Sequence, residues 1–353
     1  MKKPLIIILL LLPAAHAAAQ SRADSAQSYV ARGVMWFEKG EVERAISDYN
    51  LAIASDPHSA TAWLNRAIAR SYKGDHEGAL EDYTRTLELD PRRYAARLNR
   101  GNIFFRNGDF KAALDDYDRA VAIKPREAMA WSNRGLARQR LNDLAGALVD
   151  FNYALKLDPR NPRAWFNLGN LKRALNEDDA ALKCFNQALR LDPQLSDVWN
   201  EKGNLLAEKG DLRGATAGFD QAIALDSGQA VFFNNRGRAW LASGDLEKAA
   251  IDLNRALELD SNLADAWAHR GLIRAERQDY AQAIADFDQA LKLNPRLAAT
   301  WANRGLALLM QGRIEEAEQN FARCKELGGR INSVAEELFQ EKIGGKASGK
   351  KKP

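Results

Sequence analysis

The chain has 353 residues, 46% of them hydrophobic and 28% charged, which is the composition of an ordinary folded protein longer than one compact core usually supports. Its 51 Lys and Arg stand against 47 Asp and Glu for a net charge of +4, far from the basic stripe that a nucleic-acid binder carries. Two cysteines, Cys184 and Cys324, are too few for a disulfide framework.

The first element is a leader. Lys2 and Lys3 precede an apolar run from Leu5 to Leu12, then Pro13 and the small residues Ala14 to Ala19. A short basic segment, an apolar core and an A-x-A site define a secretory signal peptide over 1–19. Cleavage is expected after Ala17 or Ala19. Eight apolar residues fall short of the ~20 that cross a bilayer, so the expectation is an exported protein, periplasmic or secreted, of a bacterium, with no membrane span. Residues 20–25 read as a short linker.

From residue 26 the chain repeats itself. Asn-Arg recurs at Asn65-Arg66, Asn99-Arg100 and Asn133-Arg134, each 34 residues apart, and returns in register at Asn235-Arg236 and Asn303-Arg304. Nine units follow without insertion: 26–59, 60–93, 94–127, 128–161, 162–195, 196–229, 230–263, 264–297 and 298–331. Column 8 of the unit is Gly in eight copies, with Ala67 the exception, and column 20 is Ala in all nine, so two helices can approach closely. Column 24 is aromatic in eight copies and supplies the large knob between them. Column 4 is Trp in six, and column 32 is Pro in six, where it ends a helix. Pairs such as Gly74-Asp75 and Gly108-Asp109 make the inner turn, Gly closing one helix and Asp capping the next.

Beyond 331, Ile331, Val334, Ala335, Leu338 and Phe339 fall on one helical stripe. Residues 332–343 therefore read as a helix capping the last apolar face. Residues 344–353 read as a basic, disordered tail.

The columns Trp, Gly, Ala, aromatic, Ala and Pro resemble the tetratricopeptide repeat, and the resemblance covers about seven-eighths of the chain. It implies an all-α, right-handed superhelical solenoid of nine helix–turn–helix units with a concave groove that binds proteins or peptides. The family usually has Leu at column 7, whereas this chain has Arg32, Arg66, Arg100, Arg134, Leu168, Lys202, Arg236, Arg270 and Arg304. Column 23 reads Asp48, Asp82, Asp116, Asp150, Cys184, Gly218, Asp252, Asp286 and Asn320. Arg meets Asp in six units; where Arg becomes Leu168 the Asp becomes Cys184, and where it becomes Lys202 the Asp becomes Gly218. A guanidinium half-buried between helices requires a carboxylate, so six structural ion pairs are expected: Arg32–Asp48, Arg66–Asp82, Arg100–Asp116, Arg134–Asp150, Arg236–Asp252 and Arg270–Asp286.

No P-loop, G-x-S-x-G, H-E-x-x-H or C-x-x-C motif is present, so the reading is non-catalytic, with no metal and no cofactor. Function is expected in the groove. The first helix places columns 2, 6, 9 and 13 together, opposite its packing stripe. Column 6 offers Asn65, Asn99, Asn133, Asn167, Asn235 and Asn303 to an extended peptide backbone. Units three to five add Arg106, Arg140, Arg163 and Arg173, with Asn102 and Asn170, as a basic stretch suited to an acidic segment. A second reading, a structural protein that stacks on copies of itself, stays open.

Overall fold

The computed structural model describes the backbone of residues 11–349. Among these residues it contains nineteen α-helices and no strand. The leader's first ten residues and the tail's 350–353 lie outside the described residues. Contacts divide the chain into two compact bodies, residues up to Glu177 and residues from Asp178 on. The first holds α1 (Leu11–Glu38), α2 (Val42–Ser55), α3 (Ala60–Lys73), α4 (His76–Leu89), α5 (Tyr94–Arg106), α6 (Phe110–Ile123), α7 (Ala128–Arg140), α8 (Leu144–Leu157) and α9 (Pro162–Ala174). The second runs from α10 (Asp178–Leu191) and α11 (Ser196–Glu208) to α17 (Ala298–Met310), α18 (Ile314–Glu326) and α19 (Ser333–Gly349).

Within each body the helices form pairs of about one repeat, and the second helix of a pair packs on the first helix of the next. This is an all-α solenoid. The core follows the columns. All nine column-20 alanines are fully buried, from Ala45 to Ala317. The large buried rings are Tyr49, Tyr83, Tyr117, Phe151, Phe185, Phe219 and Phe287. A methyl group added at Gly33 would meet the Tyr49 ring at 2.5 Å, and one at Gly135 would meet Phe151 at 2.8 Å, which is why column 8 is small.

The turns follow from local chemistry. The inner turn places one residue in the left-handed region: Gly40, Gly74, Gly108, Gly210, Gly244 and Gly312, but Asn142, Asn176 and Gln278 in three repeats. Glycine and asparagine take this conformation at little cost and glutamine does not. In six repeats an Asp follows and caps the next helix, as Asp109 does by accepting from Ala112 N at 3.0 Å. The outer turn is closed by tryptophan. Trp63, Trp131, Trp165, Trp199, Trp267 and Trp301 each donate the indole N–H to the carbonyl six residues earlier, at 2.8–3.0 Å. Ser261 accepts from Trp267 as the prolines do elsewhere, so the bond needs only a backbone carbonyl.

Both ends differ from the sequence expectation. Residues 20–25 are not a linker but part of α1, which is continuous from Leu11 to Glu38. Between Pro13 and Gly33 there is no Gly or Pro to stop it. The expected capping helix is α19, but it runs to Gly349, so 344–349 are helical where a disordered tail was expected. Once α19 is anchored, each added residue gains a backbone bond without a new nucleus. Its anchor is Ala335, buried against a core that includes Phe321, with Leu338 and Phe339 packed beside it. Phe339 meets Phe321 edge to face at 5.4 Å, and Lys342 Nζ donates to the Leu309 carbonyl at 3.0 Å, capping α17.

Candidate functional site: a groove carried on an arginine ladder

The structure brings all six Arg–Asp pairs together. In each, the guanidinium Nε and Nη2 donate to the two carboxylate oxygens of the Asp sixteen residues later, at 2.6–3.0 Å. This two-point fork fixes the first helix of a repeat against the second. In repeats with a predecessor the same arginine also reaches back sixteen residues. Arg66 Nη1 donates to Asn50 Oδ1 at 2.6 Å, Arg100 to Thr84 at 3.0 Å, Arg134 to Asp118 at 2.9 Å and Arg270 to Asn254 at 3.0 Å. Arg236 likewise reaches Asp220. Each arginine therefore ties three helices from two repeats. Where column 4 is tryptophan, the guanidinium lies over its ring, 4.7 Å from the Trp63 centroid for Arg66 and 4.5 Å from that of Trp131 for Arg134.

Arg32 has no preceding repeat, and its side chain is 50% exposed against 12% for Arg134, so the neighbouring repeat is what buries the ladder. Arg32 and Asp48 hold each other charged: their hydrogen bond lowers the Asp48 pKa, opposed by burial, and raises that of Arg32.

A second cation was not anticipated from sequence. Arg70, Arg138 and Arg274, all in column 11, also reach Asp82, Asp150 and Asp286 at 2.9–3.0 Å. In repeat three Arg97 replaces the column-4 tryptophan and reaches Asp116 at 2.8 Å. The signal was in the sequence: column 25 is Asn, Thr or Asp in eight repeats, a row of acceptors, and column 11 carries Arg70, Arg138, Lys172 and Arg274 wherever an apolar residue is absent. Lys202 is the one lysine in the ladder's column. It faces Gly218 rather than a carboxylate, its Nζ lies 5.0 Å from the Trp199 ring, and desolvation lowers its pKa. Cys184 and Cys324 are both buried and unbonded to each other.

The groove residues divide into two groups. Much of the asparagine column is spent between repeats. Asn133 Nδ2 donates to Asn102 Oδ1 at 2.9 Å, Asn167 Nδ2 approaches Ser132 Oγ at 3.4 Å, and Asn235 Nδ2 donates to Asn200 Oδ1 at 2.9 Å. Asn235 is itself buried, so it is withdrawn from a ligand. Asn99 holds the Tyr83 pKa down against the larger upward push of burial, while Asn65 and Asn303 are half-buried. His269 occupies the column in repeat eight, with Nδ1 2.9 Å from Asn234 Oδ1. Desolvation pushes its pKa down to about 4, with Arg238 assisting and Asp265 opposing.

The second group lines two adjoining recesses on α5, α7 and α9. The first is walled by Asn102, Phe105, Arg106, Tyr117, Asn133 and Leu136. The second is walled by Leu136, Gln139, Arg140, Asn142, Leu144, Asn167, Asn170 and Ala174. Leu136 is the partition. Asn102 Oδ1 already accepts from Tyr117 Oη at 2.8 Å and from Asn133, which leaves the Asn102 amide N–H groups and Asn133 Oδ1 for the recess. Burial raises the Tyr117 pKa and Arg106 opposes it, which sets that guanidinium by the phenol. Arg140 leans on Phe110, 6.0 Å from its ring, and Phe110 meets Phe105 edge to face at 5.2 Å.

Arg106 and Arg140 are exposed and have no ion-pair partner among the described residues. Arg163 and Arg173, expected to share their role, already hold interactions within the protein. The usable basic site is thus Arg106 and Arg140. Sequence reasoning missed the apolar floors, Tyr117, Leu136 and Leu144, because Tyr117 reads as a core knob and Leu144 as a helix start. No helix among the described residues is long and apolar enough to cross a membrane.

The chain belongs to the tetratricopeptide repeat family. One of the family's models matches residues 12–60, 64–128 and 200–264, and others match 101–166, 162–195 and 271–312. No curated protein is matched by the sequence. Among solved structures, a tetratricopeptide repeat protein from Parabacteroides merdae is 21% identical, with a TM-score of 0.59 over 71% of this chain and 99% of that one. PilF of Pseudomonas aeruginosa is 20% identical, with a TM-score of 0.53 over 60% of this chain and 96% of that one. The Cut9–Hcn1 hetero-tetramer of APC/C is 17% identical, with a TM-score of 0.61 over 90% and 76%. These likenesses are of fold. The fold is that of a protein-interaction scaffold.

Proposed function

We propose that the chain is an exported, non-catalytic scaffold of a bacterial cell envelope that binds extended, acidic segments of partner proteins over repeats three to five. The observation that carries this reading is the pair of recesses sharing Leu136, each with an apolar floor, asparagine amides and one unpaired arginine at its rim. An acidic segment placed there gains two charge-assisted contacts, and little has to move, because buried ion pairs of Arg100 and Arg134 fix α5 and α7, which carry both rim arginines. Export rests on the leader, with Lys2, Lys3, the run Leu5 to Leu12 and the small residues before Gln20.

The test is capture from a cell-envelope extract by the chain and by the Arg106→Glu, Arg140→Glu double variant. Partners retained by the parent and lost by the variant support the groove. Partners retained equally by both contradict it. N-terminal sequencing of the native protein tests the leader: a start at Ala18 or Gln20 supports export, and an intact Met1 in the membrane contradicts it.

A further inference from the structure

The row of side chains that contains Arg106 and Arg140 continues beyond the two recesses. Column 13 of the first body reads Glu38, Tyr72, Arg106, Arg140 and Ala174, each in the last turn of a first helix. This column is a physical row. Arg140 and Ala174 wall the same recess although they belong to different repeats. Two members rest on an aromatic ring of the preceding repeat: Arg140 leans on Phe110, and Tyr72 meets Phe37 edge to face, with ring centres 5.6 Å apart. Tyr72 is therefore the neighbour of Arg106 on the repeat-two side. It is 75% exposed, the most open large apolar side chain among the described residues. A ring so exposed adds little to the core, and tyrosine is a residue that binding surfaces concentrate. Phe37 holds it in place, so little side-chain freedom is lost when a ligand covers it. Glu38, exposed at the end of α1, closes the row with the charge opposite to that of Arg106.

We propose that Tyr72 is an anchor of the groove and that the segment bound there has two parts: acidic residues over Arg106 and Arg140, and one aromatic side chain on the Tyr72 ring. This rests on the acidic-segment reading above and adds the partner's second feature. The row decides the order of the two parts. Acidic residues find their guanidinium groups on repeats three and four, whereas a carboxylate carried past Tyr72 meets Glu38 and is repelled. An aromatic ring laid on Tyr72 removes apolar surface of both from water and can take the offset or edge-to-face geometry that ring pairs prefer. A uniformly acidic segment leaves Tyr72 uncovered.

Three fluorescent acidic peptides of equal length test this with the full chain. One has no aromatic residue, one carries tryptophan at its N-terminal end and one at its C-terminal end. One of the two tryptophan peptides is expected to bind at least fivefold tighter than the plain peptide, because only one end reaches repeat two. That gain should vanish in Tyr72→Ser and persist in Tyr72→Phe, with unchanged circular dichroism for both. It should also persist in Val149→Ser, which removes a different exposed apolar side chain. Equal affinity of the parent chain for all three peptides, or an equal gain from either end, would overturn the anchor while leaving the acidic groove standing. A gain that survives Tyr72→Ser, or is lost in Val149→Ser, would do the same. Failure of all three peptides to bind would remove the acidic-groove reading and the anchor together.

Discussion

Arg236 and Asp252 form a single-cation rung of the ladder: Nε to Oδ2 at 2.8 Å and Nη2 to Oδ1 at 2.7 Å, with no second arginine on the carboxylate. Asp116 is the contrasting rung, held by both Arg100 and Arg97. Repeat five carries Leu168 and Cys184 in these two columns, so the chain itself supplies an uncharged substitute. The double variant Arg236→Leu, Asp252→Cys should lose less stability than Asp252→Ala alone. The matching change at Arg100 and Asp116 should not recover, because Arg97 is left buried without a carboxylate. Chemical unfolding of the four variants measures this, and equal losses for the two double variants would contradict the two-cation geometry.

Asp115 and Asp116 are neighbours with different roles. Asp116 is buried under two arginines, whereas Asp115 is exposed and meets only Arg119, four residues on. Removing one partner of a buried pair costs on the order of 3 kcal/mol, and an exposed pair within a helix contributes a few tenths. Asp116→Ala should therefore lower the melting temperature by several degrees and Asp115→Ala hardly at all.

Gln278 sits at φ +61° in an inner turn where six repeats have glycine. Gln278→Gly relieves a left-handed residue, worth about 1–2 kcal/mol, and loses about half of that to the greater freedom of glycine in the unfolded chain. A net gain of about 0.5 kcal/mol in urea unfolding is expected. Gly244→Ala, at φ +83°, should move the other way.

His269 gives the molecule a pH dependence of definite sign. Its folded pKa lies at about 4, below the ordinary histidine value, so below pH 6.5 the unfolded chain binds a proton that the folded chain resists. Stability is unaffected above pH 6.5, falls between pH 6.5 and 4, and levels below, for a total of up to about 3 kcal/mol. His269→Asn, the residue of this column in six other repeats, should remove that component. Melting curves from pH 7 to 4 for the two proteins should diverge as the pH drops; parallel curves would contradict the burial of His269.

The ladder was legible in one sequence because its two columns change together, Leu168 with Cys184 and Lys202 with Gly218. The rotation of one repeat against the next was not legible. That rotation decides whether an asparagine in column 6 faces a ligand or, like Asn235 on Asn200, bonds across the repeats. It also decides that Arg106 and Arg140 stay unpaired while Arg163 and Arg173 are engaged. Helix ends escaped for a different reason: residues 20–25 and 344–349 carry no packing columns, and propensity alone left their state open.

The groove assignment meets its most direct test in one titration. A fluorescent acidic peptide is titrated with the parent chain, with Arg106→Glu, Arg140→Glu, and with Arg238→Glu, which alters an exposed arginine in repeat seven. At least tenfold weaker binding is expected for the double reversal alone, with parent affinity falling as salt rises, since attraction between exposed charges is screened within about 8 Å at physiological ionic strength. Binding by the double reversal as tight as by the parent, at unchanged helical content, would contradict the assignment of the site to repeats three to five.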